Sequence, residues 1–477
     1  MKSVIICGAG IGGLTTAIYL KNSGYDVTVF EKNNSPGGKM GEFKKDGFRF
    51  DTGPSLITMP HIYDEFFKSN NIKNNFELKK LDITCRYFWN DGTVFNYYSD
   101  EEKLNNEISK VFGIESQKSF EKYLSYAEEI YNLSIDSFLN NEFNLKSFLN
   151  LNGLKNIFKF VNFKSLHSLN KSFFDNYKLI NIFDRFATYN GSNPYSAPSL
   201  FCLIAYVETK LAPYYPVNGI YSIANCLYKN ALDLGIKFNF NSELKNLNHS
   251  GNKIKEITVN DTEINTSASE IILNFTNYEN NIDDNSDYSC SGFVILAGVK
   301  GNSNQLTHHN ILFSDNYKKE FDDIFIKKIP ADDMTIYISI SSKTLKSDAP
   351  EFMENWFILV NVPNTKSKIE WNDEQKSEYK NKIYDRIEKY GFNIKDKIIF
   401  DKIISPPEFK NNFNSEFGSL YGVSSNSFFT LMKRPLNKSK KFTNLYFTGG
   451  NTHPGGGVPL CFLSGKIVAN LVKMNKS

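Results

Sequence analysis

The first thirty-two residues constrain this chain more than anything after them. In SVIICGAGIGGLTTAIYLKNSGYDVTVFEK, residues 4–7 read as a buried strand. Gly8, Gly10 and Gly13 then satisfy G-x-G-x-x-G, and Gly12 adds a further small residue. A helix pattern follows on Leu14, Ala17, Ile18 and Leu20, ended by Asn22-Ser23-Gly24. Residues 27–30 form a second strand with Glu31 at its carboxyl end. The first glycine permits the tight turn, the second lets backbone approach a pyrophosphate, and the third lets helix pack on strand. The helix N-terminus then offers its dipole and unpaired N–H groups to phosphates. Glu31 is placed to accept hydrogen bonds from a ribose. A lone glycine motif is weak, but here strand, turn, helix, second strand and acid stand together, and the reading is dinucleotide binding.

The next stretch separates the two common dinucleotides. SPGGKMGEFKKDGFRFDTGPSLITMP places Gly37-Gly38-Lys39 just past the acid, then a hairpin-like alternation, then Asp51-Thr52-Gly53-Pro54-Ser55. A second glycine turn followed by a cation suits a cofactor that extends beyond the first strands, which a nicotinamide dinucleotide does not require. The arrangement resembles the amine-oxidase-like flavoproteins, in which this glycine pair supports FAD.

Bulk properties exclude several classes. A net charge of +3 with 22% charged residues generates no field for nucleic acid. The six cysteines (Cys7, Cys85, Cys202, Cys226, Cys290, Cys461) form no C-x-x-C pair, which argues against a disulfide framework or thiolate metal site. MKSVIICGAG has only four apolar residues before its first glycine, so no export is expected. No uninterrupted apolar run reaches the ~18 residues of a membrane span. Forty-one Phe and 26 Tyr would suit the lining of a large apolar cavity.

Five further stretches occur in order: NGSNPYSAP at 190–198, YPVNGIYSIANCLYKNALDLGIKF at 215–238, SEIILNF at 269–275, HHNILFS at 308–314, and THPGGGVPL at 452–460. With the N-terminus they resemble the bacterial carotenoid desaturases of the phytoene-desaturase family over essentially the whole chain. The closing GGNTHPGGGVPLCFLSGK is more similar to the 3,4-desaturases acting on 1-hydroxylated carotenoids than to phytoene desaturases, although diapocarotenoid desaturases also carry G-G-G-x-P.

The resemblance implies an α/β fold: a discontinuous Rossmann-type FAD-binding domain (1–75, 215–280 and 420–477), an α+β substrate-binding sheet domain (76–100 and 281–419), and a helical, membrane-facing subdomain (101–214). By it, Gly8, Gly10, Ile11, Gly12 and Gly13 hold the pyrophosphate, and Glu31 with Lys32 the ribose. Lys39 is the cation of the glycine pair, Ser55 and Leu56 lie near the flavin, and Leu244 offers backbone to adenine with Asn274 at the following strand end. Gly449 and Gly450 approach the phosphates and ribityl chain, and Gly457 and Val458 the ring. Two positions depart from the pattern. Asn451 stands where relatives often carry an acid, and Asn218 where they often carry glycine.

The helical stretch has a charge split. Residues 101–140 carry eight acids and four bases, whereas 141–180 carry two acids and six lysines. Leu151, Leu154, Phe158 and Val161 make one helical stripe, with Lys155 and Lys159 beside it. Such a helix packs on its own domain or lies in a membrane interface, and a substrate dissolved in bilayer favours the interface. Cytoplasmic placement on the inner face of the membrane follows from that reading.

The implied chemistry is FAD-dependent desaturation: hydride leaves an allylic carbon, and a base or water takes the neighbouring proton. A hydroxylated substrate needs one polar contact near the tunnel end to fix which bond reacts. Glu208 is the candidate base, with a structural salt bridge as the competing role. Arg185 and Tyr189 read as scaffold, and His453 before proline as positional. His308 and His309, adjacent in a strand, are expected on opposite faces, so no metal site is read. Oxygen or a quinone would reoxidise the flavin. Other readings stay open: a phytoene or diapophytoene desaturase, an isomerase or saturase on the same flavin, or a carotenoid carrier that keeps FAD structurally.

Overall fold

A computed structural model describes residues 2–135, 164–275, 287–427, 430 and 434–475. The strand Ser3–Cys7 lies at the centre of a five-stranded parallel sheet. Asp26–Phe30 pairs along one edge, from Ser3↔Asp26 to Cys7↔Phe30. Ser269–Leu273 pairs along the other, from Ser3↔Ser269 to Cys7↔Leu273. Lys237–Asn239 and Leu445–Phe447 complete the two outer edges. The order therefore reverses at the first strand, which makes the crevice outside its carboxyl end a ligand position.

Alternation explains how this sheet is covered. Val4 and Ile6 point into a core shared with the helices Ile11–Asn22, Tyr221–Asp233 and Val458–Met474. Ile5 and Cys7 point the other way, against Leu247, Ile254 and Ile257 of a three-stranded antiparallel sheet. Burial on both faces is why these strands read as continuous apolar runs.

The second sheet has seven strands: Ile398–Ile404, Ser291–Lys300, Met353–Val362, Ile336–Ile340, His309–Leu312, Ile83–Phe88 and Val94–Tyr98 in spatial order. Neighbours are antiparallel except His309–Leu312 with Ile83–Phe88. One face packs Ile295, Ile338 and Ile358 against Ile383 and Ile387 of the helix Asp373–Lys389. The other presents Val294, Tyr337 and Leu359 to the cavity described below. The helices Glu101–Phe112, Ile114–Ser134, Leu166–Phe173, Tyr177–Asp184 and Leu203–Lys210 share one aromatic core with the strands at 83–98. The stripe of Leu151, Leu154, Phe158 and Val161, with Lys155 and Lys159, lies outside the described residues. Among the described residues no helix is long and apolar enough to cross a membrane. All six cysteines are free thiols.

A buried polar knot ties the strand Phe48–Asp51 to the segments around residues 220 and 348. Arg49 pairs with Asp51, and its Nη1 lies 3.4 Å from Asp348. Asp51 also accepts from the Ile220 N–H at 3.0 Å. Gly219 makes room for the guanidinium, since a Cβ there would fall 1.9 Å from Arg49 Nη2. Asn218, by contrast, is exposed and outside the cavity, so its departure from glycine disturbs nothing in the site. Removing Arg49 leaves Asp51 and Asp348 buried without their cation. Arg49→Met is therefore expected to destabilise by about 3–5 kcal/mol, read as a clear drop in thermal midpoint by circular dichroism. An unchanged midpoint would contradict the knot's role.

Candidate functional site

The turn after the first strand is held by close backbone approach. Gly8 has φ +107°, a left-handed value that a side chain strains. A Cβ on Gly13 would lie 2.1 Å from the Gly8 carbonyl oxygen, so this glycine seats the helix on the strand. Gly13 does only that, while Gly8, Gly10, Ile11 and Gly12 line a cavity of about 630 Å³. The two ends of the chain meet here: a Cβ on Gly12 would lie 2.6 Å from Gly449 Cα. Asn274 fastens the junction, its amide oxygen accepting from Gly10 N–H at 3.0 Å and its nitrogen donating to the Thr448 carbonyl at 3.1 Å.

The remaining motif residues surround the same space. Glu31 is buried, with Oε2 accepting from Ala9 N–H at 2.7 Å and Oε1 from Asn33 N–H at 2.9 Å. A carboxylate has about four acceptor positions, so two remain for a ligand. Lys32 donates to the Asn411 carbonyl at 2.8 Å and Asn414 Oδ1 at 2.7 Å. Leu244, Ser55, Leu56, Gly450, Asn451, Gly457 and Val458 also line the cavity. Gly449 N–H donates to Ser464 Oγ at 3.0 Å. The loop packs so closely that a Cβ on Gly456 would lie 2.8 Å from the Tyr421 ring and 3.6 Å from Asn190 Oδ1. His453 is buried and outside the lining, which makes it positional.

The electrostatics point to an anion. Lys39 donates to the Leu420 carbonyl at 2.6 Å, and burial pulls its ammonium down to about 8. Arg434, 6% exposed and invisible as a site residue in the sequence, donates to the Gly450 carbonyl at 2.8 Å. Burial pulls it down to about 10. Both cations have neutral hydrogen-bond partners and face the cavity. Uncompensated positive charge beside a glycine turn and a helix N-terminus is what a bound pyrophosphate neutralises.

Beyond the glycine loop the lining becomes largely apolar and aromatic, with polar groups set into it. Glu208, 1% exposed, accepts from the Tyr189 hydroxyl, and its Oε2 has no partner. Burial pushes its carboxyl up, against the nearby Arg185 charge and the Tyr189 hydrogen bond. Tyr337 hydroxyl links Ser55 Oγ, at 2.5 Å, to His309 Nδ1, at 2.7 Å.

His308 and His309 do not face opposite ways as strand alternation suggests. Their ring centroids are 4.3 Å apart, because His308 precedes the strand that begins at His309. Burial lowers both, holding them neutral at physiological pH, and His308 Nδ1 lies 2.6 Å from Thr344 Oγ1. Among the described residues no group of three or more His, Cys, Asp or Glu is placed to hold a metal.

Residues 11–275 match the flavin-containing amine oxidoreductase family. The chain belongs to it. A 1-hydroxycarotenoid 3,4-desaturase of Flavobacterium sp. is 37% identical over 99% of both chains. A 4,4'-diapolycopene oxygenase of Methylomonas sp. is 30% identical over 99% of this chain and 98% of its own. Among solved structures, an oxidoreductase of Methanosarcina mazei superposes with a TM-score of 0.65 at 14% identity, covering 98% of this chain and all of its own. A redesigned putrescine oxidase gives 0.64 at 12% identity, covering 100% and 99%. These two show the fold alone. The chain is thus a flavin-dependent oxidoreductase, and the glycine cradle and paired cations fit that cofactor.

Lys39 is expected to set a pH dependence of cofactor binding. An anionic flavin nucleotide binds the ammonium form better, so affinity is full below about pH 8 and falls as pH rises through it. Titrating apoprotein with FAD by fluorescence from pH 6.5 to 9.5 should show up to about tenfold weakening per unit above that point. Lys39→Met should bind more weakly at pH 7 and without that slope. A wild-type affinity flat to pH 9.5 would remove Lys39 from the anion site.

Proposed function

We propose that this protein is an FAD-dependent carotenoid desaturase that introduces the 3,4 double bond of a 1-hydroxylated carotene. The full-length 37% identity to a 1-hydroxycarotenoid 3,4-desaturase carries the reading. The site supports it, since one cavity joins the dinucleotide turn to the apolar face of the seven-stranded sheet. When bound, the flavin supplies the two-electron acceptor that takes hydride from the allylic carbon. The chain's own work is alignment and exclusion of water. Ile311, Phe357, Leu359 and the Tyr337 ring give a hydrocarbon an apolar wall that aligns it with the ring.

In this reading the parts are those drawn from the motifs: 1–75, 215–280 and 420–477 bind FAD, 76–100 and 281–419 form the substrate sheet, and 101–214 contacts a membrane. The site residues keep the assignments above, with Gly13 supporting the turn rather than touching the cofactor. A carotene held in bilayer requires a peripheral position on the inner face of the cytoplasmic membrane, with oxygen or a quinone as final acceptor.

Glu208 is the proposed proton acceptor, being buried, raised and lacking a partner on one oxygen. A base acts when ionised, so activity should be lost as pH falls through a pKa above the ordinary value of about 4. Glu208→Gln should lower kcat by ~10²-fold with flavin content intact and abolish that acid limb. Equal activity would leave the proton to water.

The deciding experiment is anaerobic. FAD-loaded protein is mixed with liposomes carrying phytoene, lycopene or a 1-hydroxylated carotene, following flavin bleaching and product spectra. Bleaching with the hydroxylated carotene and one added conjugated bond is expected. Bleaching with phytoene alone would move the protein to an earlier desaturation. A product oxidised at its terminal methyl, formed only in air, would favour the oxygenase chemistry named for the Methylomonas relative.

A further inference from the structure

The cavity contains a second buried carboxyl that the reaction above does not use. Glu320 comes from the short helix Tyr317–Asp322, is 1% exposed, and lines the cavity with Tyr317 and Thr335. Its Oε2 accepts from Ser314 Oγ at 2.7 Å and from Thr335 Oγ1 at 2.6 Å. Its flanks are hydrocarbon and aromatic: Phe321 and Tyr317 belong to the large aromatic core. Burial pushes the carboxyl up to about 7, against its hydroxyl donors. Two hydroxyls hold the carboxyl in place, and in an otherwise apolar stretch of cavity it is a polar partner available to a ligand hydroxyl.

Its place along the cavity is specific. Tyr337 pairs with Leu359, and Thr335 and Asn361 line the cavity with them. Asn361 Oδ1 lies 3.6 Å from Cys290 Sγ, and Cys290 N–H donates to the Gly191 carbonyl at 3.0 Å. The adjoining Asn190 packs on Gly456, whose Cβ would lie 3.6 Å from its Oδ1. Glu320, held to Thr335, therefore lines the same cavity as the glycine loop assigned to the flavin ring.

The chemistry of the proposed substrate asks for a polar group there. A hydroxyl on carbon 1 is separated from the bond between carbons 3 and 4 by a single methylene. Whatever receives the hydroxyl must adjoin the ring, and a distant tunnel end is too far. We infer that Glu320, supported by Ser314 and Thr335, receives the substrate's tertiary hydroxyl and so selects the 3,4 bond for oxidation. This rests on the hydroxycarotenoid reading above. The carboxylate accepts from that hydroxyl and the carboxylic acid donates to it, so either form serves. A carotene with a methyl group in place of the hydroxyl leaves Glu320 facing hydrocarbon, and the site discriminates against it.

The test separates this inference from the function beneath it. Oxidised holoenzyme is titrated with the 1-hydroxylated 3,4-didehydro product, which cannot be desaturated again at that bond, and with its non-hydroxylated counterpart. Binding is followed by the carotenoid absorbance shift. Wild type should prefer the hydroxylated compound at least tenfold. Glu320→Leu and Thr335→Val should reduce that preference, Glu320→Leu to near unity, with flavin content and affinity for the non-hydroxylated compound kept. Glu320→Gln, which still accepts and donates, should retain most of it. In turnover, KM for the hydroxylated carotene should rise in Glu320→Leu and its product should lose bond selectivity. No preference in wild type, or equal loss of both compounds in Glu320→Leu and Thr335→Val, would overturn the inference. If wild type binds with the expected preference yet no carotene bleaches the flavin, the desaturase reading fails and the hydroxyl pocket stands.

Discussion

The rest of the structure depends on one close backbone approach, where Gly12 of the first helix meets Gly449 of the last loop. More than four hundred residues separate them, yet a single Cβ at Gly12 would fall inside the Gly449 backbone. Asn274, from a third part of the chain, satisfies the Gly10 N–H and the Thr448 carbonyl in the same place. The parallel sheet is completed only when the strands ending at residues 7, 273 and 447 pair in register. That registration places their carboxyl ends, and the glycines beyond them, around one crevice.

The crevice changes character along its length for a physical reason. At the sheet end, backbone N–H groups, Lys39 and Arg434 leave positive charge with neutral partners. An anionic cofactor is the natural complement. Past Tyr421 and the glycine loop the wall is one face of the antiparallel sheet, and alternation gives that face Val294, Tyr337 and Leu359 while sending Ile295, Ile338 and Ile358 to a separate core. Two buried carboxyls stand in that part of the lining, Glu208 and Glu320, both raised mainly by desolvation. One is proposed for the proton and the other for the hydroxyl.

Much of the cofactor end was legible before the structure. Local patterns dictate it: a strand run, glycines at fixed spacing and an acid at the next strand end act over a few residues. Gly13 packs helix on strand, as the motif's third glycine is read to do, and does not line the cavity as the resemblance implied. Other residues had no local pattern to announce them. Glu320 lies in NYKKEFDD, a charge run that reads as a solvated surface, and Arg434 lies in an unremarkable KRP. The histidine pair misled because alternation was applied one residue before the strand began.

The sequence by itself marked a turn of the dinucleotide-binding kind and its place in the chain, because steric freedom at glycine and the direction of a helix dipole are local properties. It also determined, through motifs in order along the whole chain, which family's chemistry to expect. Only the tertiary structure decided which charged side chains face the cavity and which face water. That choice is set by desolvation, and desolvation depends on what packs around a side chain rather than on its neighbours in sequence. Glu320 shows the difference: two residues from it Asp322 stays partly exposed and pairs with the exposed Lys318, while Glu320 itself turns inward to two hydroxyls and an apolar cavity.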